Sequence, residues 1–355
     1  MNEAIAIETS EALVDRVVTS TIGLFELAGL YLGDRLGLYR SLHADGPATP
    51  DELAGRTGTD PRYVREWLEQ QAVGGILDVD VEHRFSLSEE HAAVLVEDES
   101  LNLMAPISRM LTAAIGRLPV LVDAYRSGRG IGWDAYGADM REGQAAFNRP
   151  AFTHLLGGKW LPAIGDVHER LQADPPARIA DVGCGEGWST IAIARAYPKA
   201  RVVGIDLDAP SIEEARHNAA DTGLDGVEFR HGDAATLDDG PYDAAIIIEA
   251  VHDMANPVPV LRSIREALVP GGSLIVVDER VAETFAAPGD DLERFMYGWS
   301  ITTCLPDGRS RSPSVATGTV MRPNTLRAYA AEAGFAEMEI LPIENDFFRF
   351  YRLRG

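Results

Sequence analysis

Cysteine is nearly missing from this sequence: Cys184 and Cys304 are the only two in 355 residues. Two thiols so far apart exclude a disulfide framework, and no Cys-x-x-Cys or Cys/His spacing offers a zinc site. A reducing, cytoplasmic setting is the expectation. Positive charge is also scarce, with 32 Lys and Arg against 55 Asp and Glu and a formal charge of −23. Such a balance repels phosphate backbones and anionic lipid, so neither nucleic acid nor a membrane is an expected partner. Long apolar runs are missing too. The most apolar stretch, Ile22 to Leu32, has 11 residues and contains Glu26, short of the ~20 that span a bilayer. Ahead of it stand Glu3, Glu8, Glu11 and Asp15 before any Arg, the reverse of a basic export signal.

What is present can bury a core: 46% of residues are hydrophobic and 25% charged. A chain of this length divides into about two domains at ~150 residues each. The sharpest break is Pro175-Pro176, since proline removes a backbone donor and fixes φ. Three segments are expected: a helical domain over 1–100, a helical linker and lid over 101–174, and an α/β domain over 175–355.

Apolar residues recur at helical spacing from Leu13 to Leu42, and from Ile22 onward they occupy nearly every face. A helix apolar all round must be covered all round. A first domain of this size cannot supply that cover alone, so a homodimer through the N-terminal helices is expected. Next, Thr49-Pro-Asp51 and Asp60-Pro61 read as two capped helix starts, and Val73–Asp80 and Arg84–Leu87 as two short strands around a polar tip. Together they describe a winged helix. Residues 46–80 hold three Arg against seven acids, and a recognition helix over Pro61 to Val73 with balanced charge would not hold phosphates, so the module reads as structural. Further helices follow, with a Gly/aromatic interruption at Gly128–Gly137 and a turn at Gly157-Gly158.

From Arg178 short apolar strands alternate with amphipathic helices: Ile179–Val182, Val202–Ile205, Val227–Phe229, Ala244–Ile248 and Leu274–Val277. That alternation predicts a parallel sheet with helices on both faces. Asp278 to Arg322 reads as one long irregular stretch.

The first strand runs into Asp181-Val-Gly183-Cys-Gly185-Glu-Gly187. Glycines here let backbone approach a ligand at a helix N-terminus. An acid two residues before the first glycine would repel a pyrophosphate and suits a cationic ligand. The second strand ends Asp206-Leu207-Asp208, where a carboxylate can accept from both ribose hydroxyls. The third ends Gly232-Asp233-Ala234, where a carboxylate can accept from an adenine amine. Three acids at the ends of three successive strands describe an adenosine site.

On these residues the sequence resembles the class I S-adenosylmethionine-dependent methyltransferases: Asp181–Gly187 as the first motif, Asp206 and Asp233 as the second and third, and Val269-Pro-Gly-Gly272 before the fifth strand. The whole chain is similar to small-molecule methyltransferases with an N-terminal winged-helix dimerisation domain, including actinobacterial proteins ending in Gly318-Thr-Val-Met-Arg-Pro323 and Phe348–Leu353. The resemblance implies a Rossmann-like seven-stranded domain behind a mostly α-helical winged-helix domain. It implies S-adenosyl-L-methionine as cofactor, with Asp181, Gly183, Gly185, Asp206, Leu207, Asp233, Ala234 and Glu249 as its contacts. The terminal helix Thr325–Gly334 and strands Glu337–Pro342 and Phe347–Leu353 match the antiparallel pair that closes that fold.

Methyl transfer to a hydroxyl needs a base for the departing proton. In the winged-helix O-methyltransferases a His-Asp pair after the fourth strand resembles that base and its neighbour. His252-Asp253 stands there, with Asp278 in the place of the carboxylate that orients the ring, Glu279 beside it, and Glu249 at the strand tip. Met321 stands where that family has a second supporting carboxylate. The expected catalytic set is His252, Asp278 and Glu249. Aromatic residues that could wall a flat acceptor are Trp133, Tyr136, Phe152, Tyr297 and Trp299. No His follows His252, and no metal is expected. The expected activity is transfer to a small-molecule hydroxyl, as in secondary metabolism. Two other readings stay open at this point: a DNA-associated regulator that senses the cofactor, and a family member that uses it for a non-methylating reaction.

Overall fold

A computed structural model describes residues 9–224 and 226–355. It divides into two compact units at Thr112/Ala113. In the first, α1 (Ser10–Arg35) is followed by α2 (Leu38–Asp45), α3 (Pro50–Thr57) and α4 (Pro61–Val73), then the antiparallel pair β1 (Asp78–Val79) and β2 (Phe85–Ser86). Thr49 caps α3 through a reciprocal pair of bonds with Glu52, and the Asp60 side chain caps α4, each satisfying backbone donors that a helix start leaves open. Leu38, Leu42, Leu53, Val64, Leu68 and Phe85 form the core.

The long N-terminal helix corrects the sequence reading once. The helical pattern does not run unbroken to Leu42, because the chain turns at Leu36-Gly37 before α2 begins. Within one copy of the chain α1 is only partly covered. Only Gly29 and Gly33 are buried, where Trp67 Nε1 donates to the Gly29 carbonyl at 2.9 Å. Val14, Val17, Ile22 and Phe25 stay exposed, Phe25 by 66%. Among the described residues no single helix is long and apolar enough to cross a membrane.

The second unit is built on a seven-stranded sheet in the order β5-β4-β3-β6-β7-β9-β8. Its strands are β3 (Arg178–Val182), β4 (Arg201–Asp206), β5 (Glu228–His231), β6 (Tyr242–Ile248), β7 (Leu268–Glu279), β8 (Glu337–Ile340) and β9 (Phe348–Arg354). β3 to β7 are parallel, and β9 runs antiparallel between β7 and β8. Alternate residues feed opposite faces, as the pleat requires. Val203, Ala245, Ile247, Leu274 and Val276 face one helical layer, and Val202, Ala244, Ile246, Ile275 and Val277 the other. The strand order reverses between β3 and β6, and open α/β sheets bind ligands beyond the strand ends at that point.

Two further expectations fail. The turn at Gly157-Gly158 is absent: the helix Ala138–Ala151 continues as a wider π-helical segment, Phe152–Trp160, after the internal Pro150, whose missing N–H breaks the regular ladder. Gly157 serves close packing instead, since a Cβ there would collide with Ala196 on the helix Trp188–Ala196 that follows β3. The stretch 278–322 is not wholly irregular. Asp290 caps a helix, Asp291–Trp299, that continues through Gly308.

Candidate active site

The loop after β3 owes its path to backbone that only glycine adopts freely. Gly183 sits at φ +76°, and a Cβ there would lie 2.7 Å from that of Ala250, which opens the loop to a ligand. The loop is pinned from β4. The Gly185 N–H donates to Asp206 Oδ2 and the Asp208 N–H to Asp206 Oδ1, both at 2.8 Å. Asp181 lies beneath the loop and off the cavity wall. Its Oδ2 accepts from Ser189 Oγ and Thr190 Oγ1 at 2.6 Å each, tying β3 to the following helix. Burial pushes its carboxyl up to about 6, against those two bonds.

Above this loop opens a cavity of about 630 Å³. Of the residues expected to hold the cofactor, Gly183, Gly185, Asp206, Leu207, Asp233, Ala234 and Glu249 line it; of the expected aromatic wall, Trp133 and Phe152 do. Asp233 Oδ1 accepts from the Ala235 N–H at 2.9 Å. The other aromatics are elsewhere. Tyr136 is buried and donates to the Thr302 carbonyl at 2.8 Å. Tyr297 Oη accepts from Arg322 at 3.3 Å, and Trp299 packs edge-on against Phe295. Their helix turns Glu293 and Met296 inward, which leaves Tyr297 and Trp299 on its other faces.

Sequence reasoning missed several cavity residues that hold the site together. Asn148 Nδ2 donates to Glu249 Oε2 at 2.6 Å, and Arg141 grips Asp208 with two bonds, at 2.6 and 3.1 Å. Asp307 Oδ1 accepts from the Trp133 N–H at 2.8 Å and so ties the segment around Trp133 to that after Leu305. Arg311 lines the same end of the cavity. No spacing in the sequence marks these positions, because each acts across 60 residues or more (|i−j| of 101, 67 and 174 for the three bonded pairs).

Behind the wall lies a cluster of acids around one imidazole. His252, 2% exposed, has Nδ1 at 3.0 Å from Asp278 Oδ1 and 3.2 Å from Glu279 Oε2, and Nε2 at 3.5 Å from Asp253 Oδ1. Glu279 is thus a second carboxylate at the ring, while Met321 is itself in the core. Asp278 Oδ2, Glu279 Oε2 and Asp253 Oδ1 are buried without a hydrogen-bond partner. Imidazole and carboxylate atoms of His252, Asp278 and Glu279 lie within 4.8 Å of one another, a donor set that could hold a cation. Glu249 stands at the cavity side with its backbone at φ +50°.

Desolvation drives the proton equilibria here. Burial, with Glu279 nearby, raises the Glu249 carboxyl; burial raises Asp253, and Glu279 rises against the pull of His252. Burial takes Asp307 up to about 7, Asp253 adding to it, and Glu186 likewise to about 7, with Glu214 adding. Asp307 and Glu186 hold protons up to about pH 7 in the folded chain that the unfolded chain releases near pH 4. The folded state therefore binds more protons over that window, and stability falls as pH rises from about 4 through 7. Thermal unfolding without cofactor is expected at a lower Tm at about pH 8 than at about pH 5.5, and Glu186→Gln should flatten the slope. A Tm that climbs over this range would contradict the assignment.

The cavity fits S-adenosylmethionine: a left-handed glycine turn, a carboxylate at each of two strand tips, and an acidic lining suited to a sulfonium cation. Comparisons with known proteins agree. Residues 174–305 match a family model described as a methyltransferase domain, and residues 27–97 one described as an Rv2258c-like winged HTH domain. Demethylmenaquinone methyltransferase of Thermus thermophilus is 34% identical over 172 residues, 45% of this chain and 75% of that protein. 3-Amino-4-hydroxybenzoate 4-O-methyltransferase of Streptomyces cremeus is 25% identical over 362 residues, 93% of this chain and 88% of that protein. Human N-acetylserotonin methyltransferase, solved in complex with SAM, shares the fold at a TM-score of 0.72 and 16% identity over 99% of both chains. The chain spans about half the length of several other curated relatives it matches.

Proposed function

Since this chain belongs to the class I S-adenosylmethionine-dependent methyltransferases, with a winged-helix domain ahead of the methyltransferase domain, we propose that it methylates a hydroxyl oxygen of a small molecule. The observation that carries this reading is the cavity itself, whose lining brings Asp206 and Asp233 together with Trp133 and with Asp253, the neighbour of His252. Asp206 would hold the ribose hydroxyls, Asp233 and Ala234 the adenine, and Gly183, Gly185 and Glu249 the sulfonium end. When bound, S-adenosylmethionine supplies a methyl whose S–C bond breaks, its electron pair staying on sulfur, as the acceptor oxygen's lone pair forms the O–C bond. Trp133 and Phe152 would position the acceptor. The acceptor's proton leaves into the cluster around His252, the expected general base. The full-length match to a 4-O-methyltransferase acting on an aminohydroxybenzoate supports an oxygen acceptor on an aromatic ring.

The experiment follows the methyl. With S-adenosylmethionine carrying a carbon-13 methyl and a small-molecule extract of the source cells, NMR of the product is expected to place the label on oxygen. Label on nitrogen or carbon would overturn the hydroxyl assignment.

The enzyme is further proposed to work in the cytoplasm as a homodimer, a second copy covering the exposed apolar side of α1. Gel filtration should give about twice the 38.4 kDa of one chain, and Phe25→Asp should elute as a monomer. A wild-type chain that elutes at monomer size would sink this part of the proposal.

A further inference from the structure

We propose that the helix Ala138–Ala151 is a bar fastened across the cofactor site at two points, and that S-adenosylmethionine enters and S-adenosylhomocysteine leaves only when it lifts. This rests on the methyltransferase reading above. Arg141, Gln144, Ala145, Asn148 and Phe152 all line the cavity, and steps of three, four and seven residues put side chains on one face of a helix. One whole side of this helix covers the site.

The two fasteners stand at opposite ends of that face. Arg141 donates from Nε to Asp208 Oδ2 at 2.6 Å and from Nη2 to Oδ1 at 3.1 Å, with both side chains only 14% exposed. A forked pair shielded from water in this way is fixed in direction as well as in distance. Asp208 is itself held in place, because its Oδ2 also accepts from the Ser211 N–H and hydroxyl. Seven residues on, Asn148 Nδ2 donates to Glu249 Oε2 at 2.6 Å.

The sheet explains this spacing. Asp208 follows β4 and Glu249 follows β6, and β3 lies between those strands, parallel to both. Two strand spacings are about 10 Å, and seven residues of α-helix rise by about 10 Å. The bar therefore bridges the strand ends on either side of β3 and crosses the glycine loop that β3 feeds, with Gln144 and Ala145 between the fasteners.

Neither fastener uses a ligand atom. Both join parts of the same chain, so they have to open before entry as well as before exit. The helix is also bounded where a chain bends. Gly137 ahead of it stands at φ +77°, and Pro150 interrupts its ladder before the π-helical Phe152–Trp160, a position at which helices kink.

A gate and a contact leave different kinetic marks. Losing a contact raises the off-rate and the Kd together, whereas loosening a gate raises on-rate and off-rate alike and leaves Kd nearly unchanged. In the full chain, chasing tritiated S-adenosylhomocysteine with unlabelled compound gives the off-rate, and stopped-flow tryptophan fluorescence the on-rate. Arg141→Met keeps length and loses the charge, and is expected to raise both rates about tenfold or more, with Kd within about threefold. Arg141→Lys keeps the charge without the fork and should fall between. Asn148→Ala should raise both rates about fivefold or more, and the double variant should exceed either single one. An Arg141→Met off-rate within about twofold of wild type, or one that rises while the on-rate stays unchanged, would overturn the proposal. Should Arg141→Met fail to fold, Arg141→Lys and Asn148→Ala decide by whether both rates rise. Wild type that binds no S-adenosylhomocysteine would overturn the cofactor reading itself, and the gate with it.

Discussion

Asp206→Ala is expected to weaken S-adenosylmethionine binding by about a hundredfold or more, measured by titration calorimetry. Two charge-assisted hydrogen bonds to a ribose are at stake, each contributing about 1.5 kcal/mol or more, and their sum of about 3 kcal/mol is about two decades in Kd. The loss should exceed that figure, because Asp206 also anchors the Gly185 and Asp208 backbone amides and the loop that receives the ligand would slacken. Asp206→Asn keeps an acceptor oxygen without the charge and should fall between. A Kd within about threefold of wild type would remove Asp206 from the cofactor site.

His252→Ala is the second large effect. Methyl transfer at about pH 7 should drop by about 10²- to 10⁴-fold, with cofactor affinity nearly unchanged. Stability should fall as well. Deleting the ring leaves Asp278 and Glu279, both more than nine-tenths buried, without their cation, and stripping one partner from a buried ion pair costs about 3 kcal/mol or more. Part of that loss is recovered at low pH, where Glu279, its carboxyl raised by burial, takes up a proton, so the gap in Tm between variant and wild type should narrow toward about pH 5. A variant as stable as wild type at about pH 8 would show that His252 carries no charge in the folded protein.

What could be read from the sequence, and what could not, divides along physical lines. Ile179–Val182, Val202–Ile205 and Ala244–Ile248 are short apolar runs between turn residues, and a strand buried on both faces leaves that signature. Asp206 and Asp233 were visible because a strand end fixes where a short side chain points. Asn148, Asp307 and Arg141 were not, since their roles exist only once distant segments meet. Tyr136, Tyr297 and Trp299 were drawn to the acceptor wall by aromaticity alone. Ring character does not decide which face of a helix a residue occupies, and the structure turns all three away from the cavity. Glu279 shows the same limit from the other side. A bare neighbour of Asp278 in sequence, it reaches the imidazole at 3.2 Å.

The winged helix illustrates a reading by charge. Helices α3 and α4 form as expected and the wing pairs, though its strands shrink from Val73–Asp80 and Arg84–Leu87 to Asp78–Val79 and Phe85–Ser86, but with seven acids in residues 46–80 the module lacks the electrostatic footprint of a DNA reader. The exposed apolar side of α1 agrees with the homodimer proposed above, in which this unit serves assembly.

The most direct test of the central claim is transfer of an isotopically labelled methyl from S-adenosylmethionine to small molecules extracted from the source cells, with Asp206→Ala as the control. The account predicts a labelled product and stoichiometric S-adenosylhomocysteine with wild type, and neither with the variant. Bound cofactor with no labelled small molecule, or consumption of substrate without S-adenosylhomocysteine, would contradict it.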